Sequence, residues 1–213
     1  MVYHKFNIEH AEVIVEVGTH NGQEAKLLLN KYPSAKIITY EADPEKWSRI
    51  NNNLIDTPII FRHMGVGASV EERMFYKFVG YENDGADSFF PRHNGQMKPK
   101  QKVHITTLEL EMAKYNIKSI DLLCLDTQGF EYNILRGLGH RIKDVKNIIM
   151  ELPDIKVNAL KNEFKIPNHE DSVYRGAASS NVIVKFLESK GFYEVERRRE
   201  NDLESNVHFI RKS

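Results

Sequence analysis

The sequence predicts an α/β fold in which helices cover a mostly parallel β-sheet. Short β-branched and aliphatic runs alternate with helix-like stretches over residues 14–66, in the order strand, helix, strand, helix, strand. Parallel neighbours in a sheet need long crossovers, and such crossovers place helices on the faces of the sheet. The run Ile120–Leu125 is almost continuously apolar, which is typical of a central strand buried on both faces.

Composition narrows the class of protein. The chain has 213 residues, of which 41% are hydrophobic, and its 30 basic and 30 acidic residues balance. This length fits one domain over residues 1–213, and the composition excludes intrinsic disorder. The absence of a basic excess argues against a broad electrostatic nucleic-acid binder.

The sequence carries no segment that indicates export or membrane insertion. No apolar run approaches the roughly 20 residues that span a bilayer, and residues 1–10 lack the pattern of a secretory signal. The single cysteine, Cys124, can form neither an intramolecular disulfide nor a four-ligand zinc site by itself. A reducing, cytoplasmic compartment is therefore expected.

The first third of the chain predicts three strands and two helices. The strands are Ile14–Val17, Lys36–Tyr40 and Ile59–Val66. Asn21 and Glu24 have the spacing of a capping box and predict the start of the first helix, which ends at Pro33. Asp43 and Pro44 predict the start of the second, as N-cap and first helical residue.

Residues 71–105 interrupt this alternation. Arg73–Phe78 and Lys102–Thr106 are predicted strands on either side of a polar loop, Tyr81–Met97. Thr106 and Glu109 again have capping-box spacing and predict a helix that runs to about residue 115. This insertion and the polar segment 152–176 are the natural substrate lids, because loops carry specificity on a fixed scaffold.

The remaining elements continue the α/β pattern. They are a helix over Phe130–Leu138, a strand over Val145–Met150, a helix over residues 178–190 that ends at Gly191, and closing strands near Phe192–Glu196 and Val207–Ile210.

Candidate functional residues follow the predicted strands, because ligands of open parallel sheets bind beyond the carboxyl ends of the strands. Gly18 and Gly22 follow the first strand and let the backbone approach a ligand at a helix N-terminus. Glu41 follows the second strand, about 20 residues later, where a carboxylate can accept hydrogen bonds from both hydroxyls of a ribose. Together these residues predict a nucleoside-type cofactor.

The type of cofactor depends on finer motifs. His20 stands at the second glycine position of the dinucleotide fingerprint, and the phosphate-binding P-loop pattern is absent from the sequence. The pattern Glu16, Gly18, Gly22 with a later acid resembles the first two motifs of class I S-adenosylmethionine methyltransferases. Ile120–Leu138, IDLLCLDTQGFEYNILRGL, resembles the signature of the FkbM-type members, with Gln128 in place of the more usual glutamate.

Further motifs extend this resemblance over roughly residues 13–212. YEADP at Tyr40–Pro44 resembles the family's FEPNP, GVGAS at Gly65–Ser69 resembles its turn after the third strand, and IIMEL at Ile148–Leu152 resembles its fifth strand. The resemblance implies a Rossmann-like, doubly wound sheet of seven strands. The cofactor-binding part would cover residues 13–70 and the substrate part residues 106–213.

The resemblance also implies a cofactor and a set of site residues. S-adenosylmethionine would be the cofactor and S-adenosylhomocysteine the product. The residues expected to bind the cofactor are Glu16, Gly18, Thr19, His20, Asn21, Gly22, Glu41, Ala42, Gly67 and Asp126. Asp126 and Glu151 are the catalytic candidates, since a carboxylate can remove the proton of an acceptor hydroxyl.

Several of these residues have plainer structural alternatives. Gly18 and Gly22 serve equally in a tight turn, and Glu16 serves as a buried carboxylate that accepts backbone N–H groups. Glu41 could cap a helix, although Asp43 is better placed for that. The remaining alternatives are a surface histidine at His20, a helix N-cap at Asp126 and a structural, dipole-stabilised Glu131.

The sequence gives less support to a metal site or to a nucleic-acid substrate. Asp126 and Glu151 could supply oxygen ligands to Mg²⁺, but the histidines show no ligand spacing, so no metal is expected. The basic runs Lys98–Lys102 and Arg197–Arg199 are typical of solvated strand ends; the alternative is a phosphate-bearing substrate. The aromatic residues of the insertion could stack on a sugar or base, or fold the loop against the body: Tyr81, Phe89 and Phe90.

The sequence thus predicts a methyltransferase whose acceptor is a hydroxyl on a sugar or small natural product. The alternatives are a nucleic-acid ribose methyltransferase, which would need two lysines converging on Asp126, and a non-catalytic nucleotide-binding module. Little chain precedes the first strand, so the N-terminal helix that covers the cofactor in relatives is expected to be short or missing. A partner chain in a homo-oligomer, or a more open site, would follow.

Overall fold

Two β-sheets organise the structure, a computed structural model that describes residues 3–79, 84–155, 158–167 and 170–212. The described residues form ten strands: β1 (Val13–Val17), β2 (Lys36–Glu41), β3 (Ile60–His63), β4 (Gly65–Val66), β5 (Glu71–Phe78), β6 (Met97–Thr106), β7 (Ile120–Leu125), β8 (Val145–Pro153), β9 (Phe192–Arg199) and β10 (Glu204–Arg211). The main sheet has the order β3-β2-β1-β7-β8-β10-β9, with β10 antiparallel to both of its neighbours. The predicted seven-stranded, mostly parallel sheet is confirmed.

Helices connect these strands. They are α1 (Gln23–Lys31), α2 (Pro44–Leu54), α3 (Leu108–Lys114), α4 (Glu131–Arg136), α5 (Asn158–Glu163) and α6 (Ser180–Ser189). The order of the sheet reverses at β1, which pairs with β2 on one side and with β7 on the other. Such a switch point opens a crevice beyond the carboxyl ends of the two diverging strands.

The core lies on both faces of the sheet, as predicted for the central strand β7. Leu123 and Leu125 join one apolar cluster, whereas Leu122 and Cys124 join the cluster on the opposite face. All six residues of β7 are buried. A strand covered on both faces cannot move without disrupting two cores, so the loop that follows β7 starts from a rigid base.

The predicted strand Ile59–Val66 is wrong in its second half. β3 ends at His63 in the main sheet, and after Met64 the chain enters a second sheet of order β4-β6-β5. There β4 pairs in parallel with the end of β6, from Gly65 opposite Ile105. The insertion therefore recruits part of the third strand, which a purely local apolar pattern cannot reveal.

The capping predictions have mixed outcomes. Asp43 caps α2 as predicted, with its Oδ1 accepting from the backbone N–H of Glu45 at 3.1 Å. The capping box at Asn21 is wrong, because α1 begins after Gly22, which has a left-handed φ of 81° and carries no side-chain cap. Glu24 instead accepts from the backbone N–H of His4 at 2.8 Å.

The third capping box is displaced by one residue. Thr106 is the last residue of β6, and the N-cap of α3 is Thr107, whose hydroxyl accepts from the N–H of Leu110 at 3.3 Å. At the other end of the chain, Gly191 follows α6 with a φ of 85°, as predicted for a residue that ends a helix.

The two predicted lid segments pack on each other beyond the sheet. An apolar cluster joins Met97 of the insertion to Ile155, Ile166, Val173 and Tyr174 of the 152–176 segment. The described part of the chain contains no helix that is long and apolar enough to cross a membrane.

Candidate active site

A cavity of about 710 Å³, partly open to solvent, lies beyond the carboxyl ends of the strands on both sides of the switch point. Its lining comes from the loops after β1, β2, β3 and β7 and from the insertion. The described lining residues are Val17, Gly18, His20, Tyr40, Glu41, Ala42, Lys46, Met64, Gly65, Val66, Phe75, Gly85, Asp87, Phe89, Asp126, Thr127, Gln128 and Phe130.

The loop after β1 is held tightly against the loop after β7. Gly18 has a φ of 88°, and a Cβ added there would lie 1.8 Å from the backbone oxygen of Asp126. The N–H groups of Gly18 and Thr19 both donate to the carbonyl of Tyr40, at 3.0 and 3.1 Å. Gly18 therefore forms a tight turn and also exposes backbone without a side chain to the cavity.

Glu41 is fixed by two backbone hydrogen bonds at the cavity wall. Its Oε2 accepts from the N–H of His20 at 2.8 Å, and its Oε1 accepts from the N–H of Asp43 at 2.8 Å. Each carboxylate oxygen can accept a further hydrogen bond, so the group remains able to bind two hydroxyls. Because Asp43 caps α2, the capping alternative for Glu41 is wrong.

Glu16 lies behind this loop and does not line the cavity. Glu16 is fully buried, and its Oε2 accepts a hydrogen bond from the hydroxyl of Thr39 at 2.5 Å. Burial raises the pKa of Glu16 to about 7. Thr19, Asn21, Gly22 and Gly67 are also outside the lining, and their cofactor contacts, like that of Glu16, stay predictions.

Asp126 follows β7 and faces the cavity. Its Oδ1 accepts from the Nε2 of Gln128 at 2.7 Å, and burial raises its pKa to about 7. The N-cap alternative for Asp126 is wrong, because α4 begins after Phe130 without a side-chain cap. Glu131 instead braces the loop, accepting from the N–H of Thr127 at 2.8 Å, which supports its structural role.

Glu151, on β8, meets Asp126 through a shared amide. The Nε2 of Gln128 also donates to Oε2 of Glu151 at 2.9 Å. Burial and the neighbouring charge of Asp126 raise the pKa of Glu151 well above its usual range. Glu151 lies in a second cavity of about 330 Å³, which adjoins the first because Gln128 lines both.

The sequence reasoning missed two residues of this network. Gln128 has a left-handed φ of 55°, which turns its side chain between the two carboxylates. The hydroxyl oxygen of Tyr174 lies 2.5 Å from Oε1 of Gln128 and accepts from Arg92 at 3.1 Å. One signal was present, since Gln128 departs from the family signature, but this departure does not indicate a contact.

The cavity also receives two charged residues that were not foreseen. Lys46 of α2 lies 3.4 Å from Oδ2 of Asp87 and 3.8 Å from Oδ2 of Asp43. Asp87 belongs to the insertion, and its Oδ1 accepts from the N–H of Phe78 at 2.9 Å. This arrangement ties the insertion to the start of α2.

The aromatic and basic residues of the insertion have structural contacts. Phe89 and Phe90 pack on Phe130 with ring centroids 4.8 and 5.4 Å apart, which favours the folding of this loop against the body. Tyr81 lies outside the described residues. Lys100 pairs with Glu45 at 2.5 Å, as expected of solvated strand ends.

Histidines and carboxylates do not converge on a metal site in the described ranges. No group of three or more His, Cys, Asp or Glu side chains there has an arrangement that could hold a metal ion. His63 stacks on Trp47 with centroids 4.9 Å apart, and His93 lies 2.9 Å from a carboxylate oxygen of Glu170.

The sheet order and the cavity at its switch point are those of a Rossmann-like α/β fold. The sequence matches the family described as "Methyltransferase FkbM domain" over residues 16–193, and the chain belongs to this family. The predicted family resemblance is confirmed. No curated protein sequence matches the chain.

Solved structures share the fold at low sequence identity. The methyltransferase FkbM of Methylobacillus flagellatus superposes with a TM-score of 0.58 at 10% identity, over 97% of this chain and 45% of that protein. An O-methyltransferase family protein of Burkholderia thailandensis gives 0.54 at 11% identity, over 99% and 54% of the two chains. Fibrillarin of Aeropyrum pernix, crystallised with S-adenosylmethionine, gives 0.53 at 13%, over 93% and 66%. The chain thus spans about half to two thirds of the length of these proteins.

Proposed function

We propose that the chain is an S-adenosylmethionine-dependent methyltransferase that methylates a hydroxyl oxygen of a sugar or small natural product. One observation carries this proposal. Asp126, a carboxylate whose pKa is raised to about 7, lines the same cavity as the fixed acid Glu41 and the bare backbone of Gly18. A proton acceptor tuned near neutrality beside a nucleoside-type site is what hydroxyl methylation requires.

The residues of the cavity fit the cofactor. Glu41 is anchored by backbone N–H groups and keeps acceptor capacity for two ribose hydroxyls. Ala42, Val66 and Phe89 add apolar surface suited to a flat base. When bound, S-adenosylmethionine supplies an electrophilic methyl group on a positively charged sulfur.

Asp126, Glu151 and Gln128 have different roles in proton transfer. Burial and the charge of Asp126 raise the pKa of Glu151 and favour its protonated form. With Glu151 protonated, the amide of Gln128 stabilises a negative charge on Oδ1 of Asp126. The carboxylate of Asp126 accepts the proton of the acceptor hydroxyl, and proximity in the cavity orients the two groups.

The nucleic-acid alternative receives no support from the site. Among the described lining residues Lys46 is the only lysine, and it pairs with acidic side chains rather than converging with a second lysine on Asp126. The insertion lines the first cavity, the 152–176 segment lines the second, and the two segments pack on each other, which suits a small acceptor.

Transfer of a labelled methyl group tests the proposal. The protein is incubated with S-adenosylmethionine labelled in its methyl group and with separate panels of simple sugars, sugar nucleotides, phenolic compounds and structured RNA. We expect label in a sugar or small hydroxylated compound, and a rate at least about 100-fold lower for Asp126→Asn. The variant should bind S-adenosylhomocysteine within about threefold of wild type, because Asn keeps the shape of the side chain.

Three results would contradict this proposal. Label in RNA alone would favour the ribose methyltransferase, and full activity of Asp126→Asn would remove the proposed base. A folded wild type that transfers methyl groups to none of the panels while binding the cofactor would favour the non-catalytic module.

A further inference from the structure

A buried tyrosine contacts the amide that joins the two carboxylates of the site. Tyr174 is 3% exposed, and its hydroxyl donates to Oε1 of Gln128 at 2.5 Å. The nitrogen of the same amide donates to Asp126 and to Glu151. Tyr174 is therefore connected to the proposed base through a single side chain.

Arg92 makes the hydroxyl of Tyr174 a donor toward this amide. Its guanidinium donates to the hydroxyl oxygen at 3.1 Å, and a guanidinium has no acceptor, so the phenolic proton must point elsewhere. That proton has two acceptors within reach, Oε1 of Gln128 at 2.5 Å and the carbonyl oxygen of Ala86 at 3.0 Å. The shorter distance favours Gln128.

Packing and backbone pairing hold Tyr174 in place. Its ring belongs to an apolar cluster with four other buried residues: Met97, Ile155, Ile166 and Val173. Its backbone forms an antiparallel bridge with Arg92, and the N–H of Arg175 donates to the carbonyl of Pro91 at 2.8 Å. A hydroxyl on a side chain fixed in this way offers its proton at one defined position.

The side-chain amide of Gln128 has two orientations with opposite effects on Asp126. With its nitrogen toward Asp126 the amide stabilises the ionised carboxylate, whereas the rotated amide would present an oxygen to that charge. The carboxylates alone do not exclude the rotated form, because a protonated Glu151 can donate to an amide oxygen. In the rotated form the amide nitrogen would face a hydroxyl that already accepts from Arg92. The hydroxyl of Tyr174 therefore favours the orientation that supports Asp126.

We propose that Tyr174 is a positioning residue for methyl transfer and that its hydroxyl orients the amide of Gln128 toward Asp126. The inference rests on the proposed function, because this orientation affects catalysis only if Asp126 accepts the proton. Arg92 belongs to the insertion and Tyr174 to the 152–176 segment. The packing of these two segments on each other thus completes the surroundings of the base.

Other titratable groups also act on Asp126 by charge. They come from four further parts of the fold: Glu131 of α4, Glu151 of β8, Glu204 of β10 and Tyr3 near the start of the chain. The variant Tyr174→Phe leaves all of these groups in place and keeps the packed ring. A change in the ionisation of Asp126 in this variant would therefore come from the amide.

Calorimetric titrations with S-adenosylmethionine and S-adenosylhomocysteine, from about pH 5 to about pH 9, measure this ionisation. Only the first ligand carries a positive sulfonium, so the ratio of the two affinities rises as Asp126 ionises. We expect the midpoint of this rise to be higher by about half a unit in Tyr174→Phe than in wild type, because the rotated amide becomes populated.

Two further variants separate this role from a structural one. Tyr32→Phe is the matched control, since it removes another buried hydroxyl, which donates to the carbonyl of Ile8 at 2.8 Å. It should lose a similar amount of stability in urea and keep the wild-type midpoint. In the background of Gln128→Met, Tyr174→Phe should shift the midpoint by less than about 0.2 unit, because no amide remains to be oriented.

A second measurement does not depend on the folding of Tyr174→Phe. Tyrosines labelled with carbon-13 at the ζ position report the hydrogen bonding of their hydroxyl groups. Gln128→Met removes the acceptor of the Tyr174 hydroxyl and should move one of the nine tyrosine signals. Gln96→Met, at an exposed position, should move none of them.

Three results would overturn the inference. They are a wild-type midpoint in folded Tyr174→Phe, an equal shift by this variant in the Gln128→Met background, and nine unchanged tyrosine signals in Gln128→Met. Failure of folded wild type to bind either ligand, or an affinity ratio in wild type that does not change with pH, would instead refute the proposed function.

Discussion

The side-chain amide of Gln128 lies 2.7 Å from the carboxylate of Asp126 and connects it to Glu151 through the same nitrogen. Asp126 and Glu151 share this one hydrogen-bond donor in a buried, desolvated site. Ionisation of one carboxylate therefore opposes ionisation of the other. The negative charges of Glu131 and Glu204 act in the same direction on the pKa of Asp126. The hydrogen bond from Gln128 instead lowers the pKa of Asp126. It thereby sets the pH at which Asp126 becomes a base.

Replacement of Gln128 by methionine should shift this pH. Ionised Asp126 attracts the positive sulfonium of S-adenosylmethionine but not the neutral thioether of S-adenosylhomocysteine. The affinity ratio of the two ligands should therefore rise with pH, with a midpoint near 7 in wild type. Gln128→Met removes a donor to the charged form and should raise the midpoint by about one unit.

Calorimetric titrations from about pH 5 to about pH 9 measure this midpoint. Gln96→Met, at an exposed position of the insertion, is the matched control and should keep the wild-type midpoint. A pH-independent ratio in wild type, or the same midpoint in Gln128→Met, would contradict the role of the amide.

Glu16 predicts a pH dependence of stability. Its pKa is raised from the usual 4.5 to about 7 in the folded chain. The folded state therefore binds this proton more tightly, so the contribution to stability is complete below about pH 4.5 and is lost as the pH rises through 7. Over this range the loss amounts to about 3 kcal/mol.

The variant Glu16→Gln should not show this loss. Its free energy of unfolding, measured with urea, should gain about 3 kcal/mol relative to wild type between about pH 4.5 and about pH 8. Glu12→Gln is the control, since the side chain of Glu12 is 77% exposed, and its curve should parallel that of wild type. If the curve of Glu16→Gln also parallels that of wild type, the buried carboxylate of Glu16 does not cause the pH dependence of stability.

Gly18 and Gly95 form a matched pair of left-handed glycines. Both have positive φ, 88° and 76°, but a Cβ at Gly18 would collide with the backbone oxygen of Asp126 whereas one at Gly95 meets nothing within 4 Å. Gly95→Ala should cost about 1 kcal/mol of unfolding free energy through backbone strain alone. Gly18→Ala should cost at least about 3 kcal/mol and weaken S-adenosylhomocysteine binding, because the two loops must separate. Equal losses in urea unfolding would contradict this contact.

Local chemistry allowed much of the fold to be predicted. The β-branched runs and the Asp43–Pro44 helix start are set by nearby residues, and the structure has them at the expected places. The predicted elements were wrong where pairing between strands distant in the sequence determined the structure. Val66 leaves the main sheet because β6 offers it a partner, and Thr106 continues β6 instead of capping α3.

The candidate site was predictable to a similar extent. Strand ends indicated Gly18, Glu41 and Asp126, which line one cavity in the structure. Asp87 and Tyr174 come from the insertion and from the 152–176 segment, and only the packing of these segments brings them to the site. A contact between distant loops has no local signal, so sequence reasoning could name these segments as lids but not their contributing residues.

We expect the cavity at the switch point to bind the methyltransferase cofactor through Glu41. Isothermal titration of S-adenosylmethionine and S-adenosylhomocysteine into wild type and Glu41→Ala tests it directly, with Glu45→Ala as the control on an exposed acid of the same helix start. We expect micromolar binding by wild type and Glu45→Ala, and a drop in affinity of at least about tenfold, or about 1.4 kcal/mol, in Glu41→Ala. Absence of binding by folded wild type, or equal binding by Glu41→Ala, would contradict it.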